Sequence, residues 1–313
     1  MKSKKVTFAD IAAYTNFSKT TISRYFNDPD SLTLENQQKI ADALVALDYK
    51  ENKVGRILAT YETYGYKFLV FTGNEKADVE RRYIEELMAY NIEGMIVLSP
   101  TIPSRELVAY NVPVVSIERE DRYISSVNTD NYMGGVQAAS LLRKSSCDIL
   151  IHVNVEMTDE SPAYGRVRGF TDICEENGVD YELILTDLGN TYEENWEKIL
   201  AIVNTLEEKY PDKKKGIFMP NDTNANVLLN ILFRKYGKLP DTYQIIGFDD
   251  SPISREAVIP ISTVGQQISV IANTAMEILS SQMQERKKRK PAPLKEPVHK
   301  IIPPILIRRE TTV

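Results

Sequence analysis

Lys19, Thr20, Ser23 and Arg24 put two short hydroxyls and two cations into six positions of the segment VTFADIAAYTNFSKTTISRYFN, residues 6–27. Side chains of these types donate to base edges and phosphates in a DNA major groove. Ile22 and Phe26 lie one helical turn apart and can face inward, which leaves the four polar residues for solvent or a ligand. Between Met1 and Asn27 five cations (Lys2, Lys4, Lys5, Lys19, Arg24) stand against one anion, Asp10, inside a chain of formal net charge −6. A basic footprint on an acidic protein points to a dedicated nucleic-acid module. An ordinary helical hairpin is the other reading of the same pattern.

A second polar set falls at the carboxyl ends of candidate strands: Asn128-Thr129-Asp130-Asn131, Asn221-Asp222 and Asp249-Asp250-Ser251. Ligands of parallel α/β sheets sit beyond those ends, and carboxylates and amides exchange hydrogen bonds with vicinal hydroxyls. The sequence offers no paired histidines, nucleophile elbow or phosphate-binding glycine loop. Cys147, Cys174, His152 and His299 lack metal-type spacing, so no metal and no cofactor is expected and each thiol reads as buried or idle. A carbohydrate-processing enzyme with an accessory DNA-binding domain stays as an alternative, because strand-end carboxylates can do acid-base work.

The elements that must position these residues follow from pattern. Thr7 can cap a helix carrying Phe8, Ile11 and Ala12; Asn16 stops it, Phe17 turns inward and Ser18 opens a second helix. Thr33 can cap a third with Ile40, Ala41, Leu44 and Leu47 at helical spacing. Residues 53–59 read as a linker or short helix. From Tyr66 short β-rich runs alternate with amphipathic stretches, as in a parallel sheet covered by helices. Strands are expected at Tyr66–Phe71, Met95–Leu98, Val112–Ile117, Ile149–Val153, Tyr181–Leu185, Gly216–Met219 and Tyr243–Phe248. Helices are expected near Val79–Tyr90, Met133–Arg143, Ala163–Asn177, Tyr192–Glu208 and Thr223–Tyr236. At 313 residues and 42% hydrophobic content the chain should hold two or three compact units. No window resembles a signal peptide or membrane span, which implies the cytoplasm.

The 6–27 segment resembles the N-terminal signature of the LacI/GalR family of bacterial transcriptional repressors, with Asn16-Phe17 where glycine-valine is usual. NTDNYMGG (128–135), YGRVRGF (164–170), MPNDTNA (219–225), IIGFDDSPIS (245–254), STVGQQ (262–267) and the terminal ILIRRETT resemble its core landmarks in the right order. The resemblance implies an all-α three-helix headpiece (1–52), a hinge (53–59) and a two-lobed α/β core like a periplasmic sugar-binding protein (60–313). Lobe 1 would span about 60–146 and 266–294, lobe 2 about 147–265 and 295–313. It implies a homodimeric repressor of a carbohydrate-utilisation operon, binding a palindromic operator under control of a small sugar or phosphosugar. By position Lys19, Thr20 and Arg24 would read bases. Ser18, Thr21, Ser23 and Asn27 would hold phosphates, Thr7 and Asn52 would join the DNA contacts, and Leu58 would wedge into the minor groove. Asp130, Arg166, Asn221, Asp249 and Gln266 would contact the effector. Simpler roles exist for several of them: Asp130 as a helix cap, Asn221 and Asp249 as caps, Arg166 paired with Asp159 or Glu160.

One departure stands out. After Ala59 the chain runs almost at once into TYETYGYKFLVF, where the family usually places a strand and a helix that open the first lobe. Roughly one βα unit of connection length is absent. Its loss would expose neighbouring sheet edges and remove one effector loop and part of the dimer surface. Trp196 reads as helix packing, and the basic run Arg286–Lys290 as a solvated crossover.

Overall fold

A computed structural model describes residues 8–27, 32–33, 35–37, 39–40, 43, 65–71, 76–99, 101–119, 122–158, 161–288 and 296–313, without the side chains of residues 8, 9, 23, 26 and 27. The expected hinge over 53–59 and the site positions Thr7, Asn52 and Leu58 lie outside the described residues, as do the side chains of Ser23 and Asn27.

The N-terminal unit opens with α1 (Phe8–Thr15) and α2 (Lys19–Asn27), and helical residues return at 35–37, 39–40 and 43. Asn16 turns the chain at φ 58°, the left-handed region that asparagine tolerates better than most residues. Thr15 Oγ1 donates to the Ile11 carbonyl at 2.8 Å and accepts from the Phe17 amide at 3.3 Å, closing α1. Ile11, Ile22, Ile40 and Ala43 are fully buried together, with Phe17, Tyr25 and Leu32 packed on them. Each buried isoleucine contributes about 1.5–3 kcal/mol, enough to hold short helices that would be marginal alone.

The core continues with α3 (Ala77–Ala89), β1 (Met95–Val97), α4 (Ser104–Val108), β2 (Val114–Ile117), β3 (Ser125–Thr129) and α5 (Asn131–Lys144). Next come β4 (Ile149–Asn154), α6 (Tyr164–Glu176), β5 (Tyr181–Leu185), α7 (Tyr192–Lys209), β6 (Lys215–Phe218) and α8 (Asp222–Tyr236). It ends with β7 (Tyr243–Asp249), α9 (Pro252–Glu256), β8 (Ser262–Gly265), α10 (Ile268–Arg286), β9 (His299–Ile302) and β10 (Ile305–Ile307). Among the described residues two sheets form, ordered β1-β2-β3-β9 and β10-β8-β7-β6-β4-β5. All pairings are parallel except β10 against β8. In the larger sheet α5 and α6 cover one face through Leu142 and Phe170, and α7 and α8 cover the other through Val203 and Leu228.

The chain crosses between lobes three times, at 129–131, 265–268 and 302–305, and this moves the expected boundaries. Ala138, Ala139 and Leu142 of α5 pack with Leu150 and Phe218 of the larger sheet, so lobe 1 ends at Thr129 and not near 146. β9 pairs with β3, Ser126 opposite His299, so 299–302 belongs to lobe 1 and only the tail from β10 onward returns to lobe 2.

Tyr66–Phe71 is not a strand. Tyr66 and Phe68 pack on the core beneath α10, while Leu69 and Val70 are 54% and 49% exposed. A strand needs a ladder partner, and among the described residues none pairs with this run. β3, β8, β9, β10, α4, α9 and α10 fall outside the expected set. β3 reads SSVNT and escapes a hydrophobic pattern because its buried serines are hydrogen-bonded. Ser125 Oγ accepts from Gln282 Nε2 at 2.8 Å and the Val298 amide at 3.0 Å, and Ser126 Oγ pairs with His299 Nδ1 at 2.8 Å.

Candidate functional site

In the N-terminal unit Ser18 Oγ accepts from the Thr21 amide at 3.0 Å and bonds Thr21 Oγ1 at 2.8 Å. Ser18 is therefore the cap of α2, as its residue type favours. Lys19, Thr20 and Arg24 are exposed, whereas Ile22 is buried in the helix crossing. Lys39 Nζ stands 5.3 Å from the centroid of the Phe17 ring and adds a cation close to the turn.

The five core positions gather at the carboxyl end of the larger sheet and the crossovers. Asp130 caps α5, accepting from the Met133 amide at 2.9 Å. Asn221 caps α8, accepting from the Asn224 amide at 2.8 Å. The simpler capping roles thus hold for both, each leaving further lone pairs. Arg166 donates from Nε to Asn131 Oδ1 at 2.7 Å and from Nη1 to the Pro220 carbonyl at 2.9 Å. Its neighbours Asn131 and Pro220 adjoin Asp130 and Asn221 in sequence, so one guanidinium draws three strand ends together once its stack on Phe248, beside Asp249, is counted. Burial pulls the Arg166 pKa down, and the charges of Asp249 and Glu118 oppose that.

Close helix contact fixes this arrangement. A Cβ on Gly135 would lie 2.2 Å from the Arg166 carbonyl oxygen, and one on Gly169 would lie 2.1 Å from that of Tyr132. Only glycine lets α5 and α6 meet at that depth.

Gln266 follows β8 at a crossover, is 7% exposed, and its Oε1 has no hydrogen-bond partner among the described residues. A buried acceptor left unpaired is costly unless something donates to it. A cavity of ≈ 300 Å³ opens there, lined by Asp249, Asp250, Arg255, Gln266, Gln267 and Ile305 among others. Asp249 and Gln266 line it; Asp130, Arg166 and Asn221 do not.

Two carboxylates outside the five expected contacts join the site: Glu118, and Asp222 of the polar strand-end set. Glu118 Oε1 accepts from the Thr129 amide at 2.8 Å and from Thr129 Oγ1 at 2.5 Å, beneath the first crossover. Asp222 is 1% exposed, and burial pushes its pKa up to about 7. Its place next to Asn221 was the available signal. His152 is fully buried, 4.5 Å from the Phe218 ring and 5.2 Å from Phe170 by centroids, and burial pushes it down to about 3. It is a core residue rather than a ligand.

Residues 139–312 match the model of the periplasmic binding protein-like domain. The ribose operon repressor of Halalkalibacterium halodurans is 24% identical over 338 residues, covering 98% of this chain and 97% of that protein. The chain belongs to the periplasmic binding protein-like domain family, as one of its LacI/GalR transcriptional regulators.

Solved structures agree with this regulator's fold. A periplasmic binding protein/LacI transcriptional regulator from Alkaliphilus metalliredigens, complexed with D-xylulofuranose, superposes with TM-score 0.67 at 24% identity, covering 83% of this chain and 93% of that one. The lac repressor dimer bound to operator and the anti-inducer ONPF superposes with TM-score 0.66 at 17% identity, covering 99% and 100%. The regulator's match to the ribose operon repressor runs over more positions, 338, than its own 313 residues, so that relative carries residues with no counterpart here. That accords with the short connection after Ala59 and with a first sheet of four described strands against six in the second.

Proposed function

We propose that this LacI/GalR regulator is a cytoplasmic homodimeric repressor of a carbohydrate-utilisation operon. It binds a palindromic operator through the N-terminal unit and responds to a small sugar or phosphosugar in the core. Lys19, Thr20 and Arg24 read bases; Ser18, Thr21, Ser23 and Asn27 hold phosphates; Thr7, Asn52 and Leu58 complete the contact. Asp130, Arg166, Asn221, Asp249 and Gln266 hold the effector. The observation that carries the reading is an exposed polar face on a capped α2 in the same chain as a two-lobed core whose polar strand ends converge. A relative solved with D-xylulofuranose and another solved on operator supply the ligand classes.

A ligand switches such a protein only by binding its two core states unequally. Gel shifts on DNA upstream of the regulator's own gene cluster test the output, with Arg24→Ala as control; absence of sequence-dependent binding by the wild type refutes it. Thermal shift with pentoses, hexoses, disaccharides and their phosphates tests the input, since a ligand at 100 times its Kd stabilises the folded form by about 2.7 kcal/mol.

A further inference from the structure

Asp249 and Asp250 adopt φ of 109° and 52° in succession, neither of them glycine. Such residues cost on the order of 1–3 kcal/mol each and persist only where the surroundings over-determine them. The surroundings here converge on one buried carboxylate. Asp222 Oδ2 accepts from the Ser251 amide at 2.7 Å and from Ser251 Oγ at 3.0 Å. Its Oδ1 accepts from Thr263 Oγ1 at 2.6 Å, and that same hydroxyl accepts from the Asp250 amide at 3.3 Å. Thr263 lies on β8, three residues before Gln266, and β7 and β8 pair Asp249 with Gly265. Gly247 leaves the space Asp222 occupies: a Cβ there would stand 2.2 Å from Asp222 Oδ1. From the other side Arg309 Nη2 donates to Asp250 Oδ1 at 2.5 Å.

The geometry points to Asp222 as the positioning residue of the effector cleft: it ties the 249–251 loop to β8, and so sets Asp249 and Gln266 relative to one another. It touches no ligand itself; with 1% exposure it stands behind the residues that would. The ionised carboxylate accepts every one of these bonds; a proton on Oδ1 is donated instead to Thr263 Oγ1, which keeps a second lone pair for the Asp250 amide, so protonation preserves the bridge and removes the cost of a buried charge. Charged side chains on the surrounding elements are Asp249 on β7, Asp250 with its partner Arg309, Arg255 and Glu256 on α9, and Arg166 reaching Pro220 from α6. Burial first, and then the charge of Asp249, disfavours the ionised form and moves the transition up from the usual carboxylate range to about 7. Grip on the effector is thereby coupled to proton binding.

That coupling rests on the effector reading of Asp249 and Gln266, but the loop bridge does not, and the two fail differently. Hydrogen-deuterium exchange of full-length protein, followed in the peptide covering 249–251 from pH 5.5 to 8.5 and corrected for chemical exchange, tests the bridge. Expected is protection that rises as pH drops through about 7 in the wild type, because the buried carboxyl holds its proton more tightly than an opened, solvated one, a pH-independent profile in Asp222→Asn, and exchange faster by about tenfold in Thr263→Val at high pH, the scale of one lost charge-assisted bond. Circular dichroism reports folding; if Asp222→Asn does not fold, Thr263→Val, close in shape, carries the comparison. Wild-type protection that is flat with pH, or unchanged exchange in Thr263→Val, overturns the proposal. A sugar screen without a hit would strike the effector reading alone.

Discussion

Arg166 stands over Phe248, its guanidinium carbon 3.4 Å from the ring centroid. The two residues come from α6 and β7, and together with the bonds to Asn131 and Pro220 the stack fixes the guanidinium plane. Lysine offers neither plane nor fork. Arg166→Lys should lower stability by about 1–3 kcal/mol through the lost stack and one unsatisfied acceptor, and should weaken binding of whichever sugar the screen identifies. Urea unfolding is the check, and a midpoint equal to wild type contradicts it.

The depth of the α5–α6 crossing sets where that guanidinium starts. Gly169→Ala places a methyl 2.1 Å from a backbone oxygen, which no rotamer change can relieve. The helices must separate, at a cost of about 1–3 kcal/mol or more. Gly178→Ala is the contrasting control, because nothing lies within 4 Å of its Cβ position and the penalty there is the φ of 60° alone. Thermal melts should rank Gly169→Ala below both wild type and the control.

How much of this was readable beforehand depends on whether local pattern or distant contact decides. Asn16, Ser18 and Ile22 are local: a residue that accepts positive φ, a hydroxyl at a helix start and an apolar residue one turn on specify the turn and its packing. Asp130, Arg166, Asn221, Asp249 and Gln266 were found through motif order, and the structure places them at strand ends and crossovers of the two sheets, with only Asp249 and Gln266 lining the cavity. Asp222 was visible as part of the polar strand-end set but its bridging role was not, and Glu118 was not visible at all, because what makes them matter is Thr263, Ser251 and Thr129 reaching them from other parts of the chain. β3 was missed for the same reason, since its serines are satisfied by Gln282 and His299, more than 150 residues away. Tyr66–Phe71 failed the other way: its residues favour a strand, and among the described residues no strand pairs with it.

Stability should depend on pH from both sides. His152 ordinarily titrates near 6.5 and burial lowers it to about 3; its contribution is present above 6.5 and is lost as pH falls toward 3. Asp222 is raised by burial from 3.8 to about 7; its contribution is complete below 3.8 and is lost as pH rises through 7. The two oppose one another over the interval they share. In melts across pH, His152→Leu should flatten the acid limb and Asp222→Asn the alkaline one. Each variant leaving its own limb unchanged would contradict the assignment.

Exposed cations and buried apolar groups in the N-terminal unit should fail in different ways. Lys19→Ala and Arg24→Ala remove charge from a solvent face, so both should leave the melting of the core intact while weakening operator binding. A phosphate contact reduces the salt slope by about 1 and weakens all sequences alike, whereas a base contact costs about 1–3 kcal/mol and relaxes preference at one position. Ile22 is fully buried against Ile11, Ile40 and Ala43, and Ile22→Ala costs about 2–5 kcal/mol, a large share of what so small a unit can muster. It should abolish operator binding and protection of residues 8–27 from hydrogen exchange, with the two-lobed core still folded. Operator titrations at two or more salt concentrations, beside exchange on the same samples, separate these outcomes. Intact operator binding by Ile22→Ala would remove the N-terminal unit from the DNA-binding role altogether.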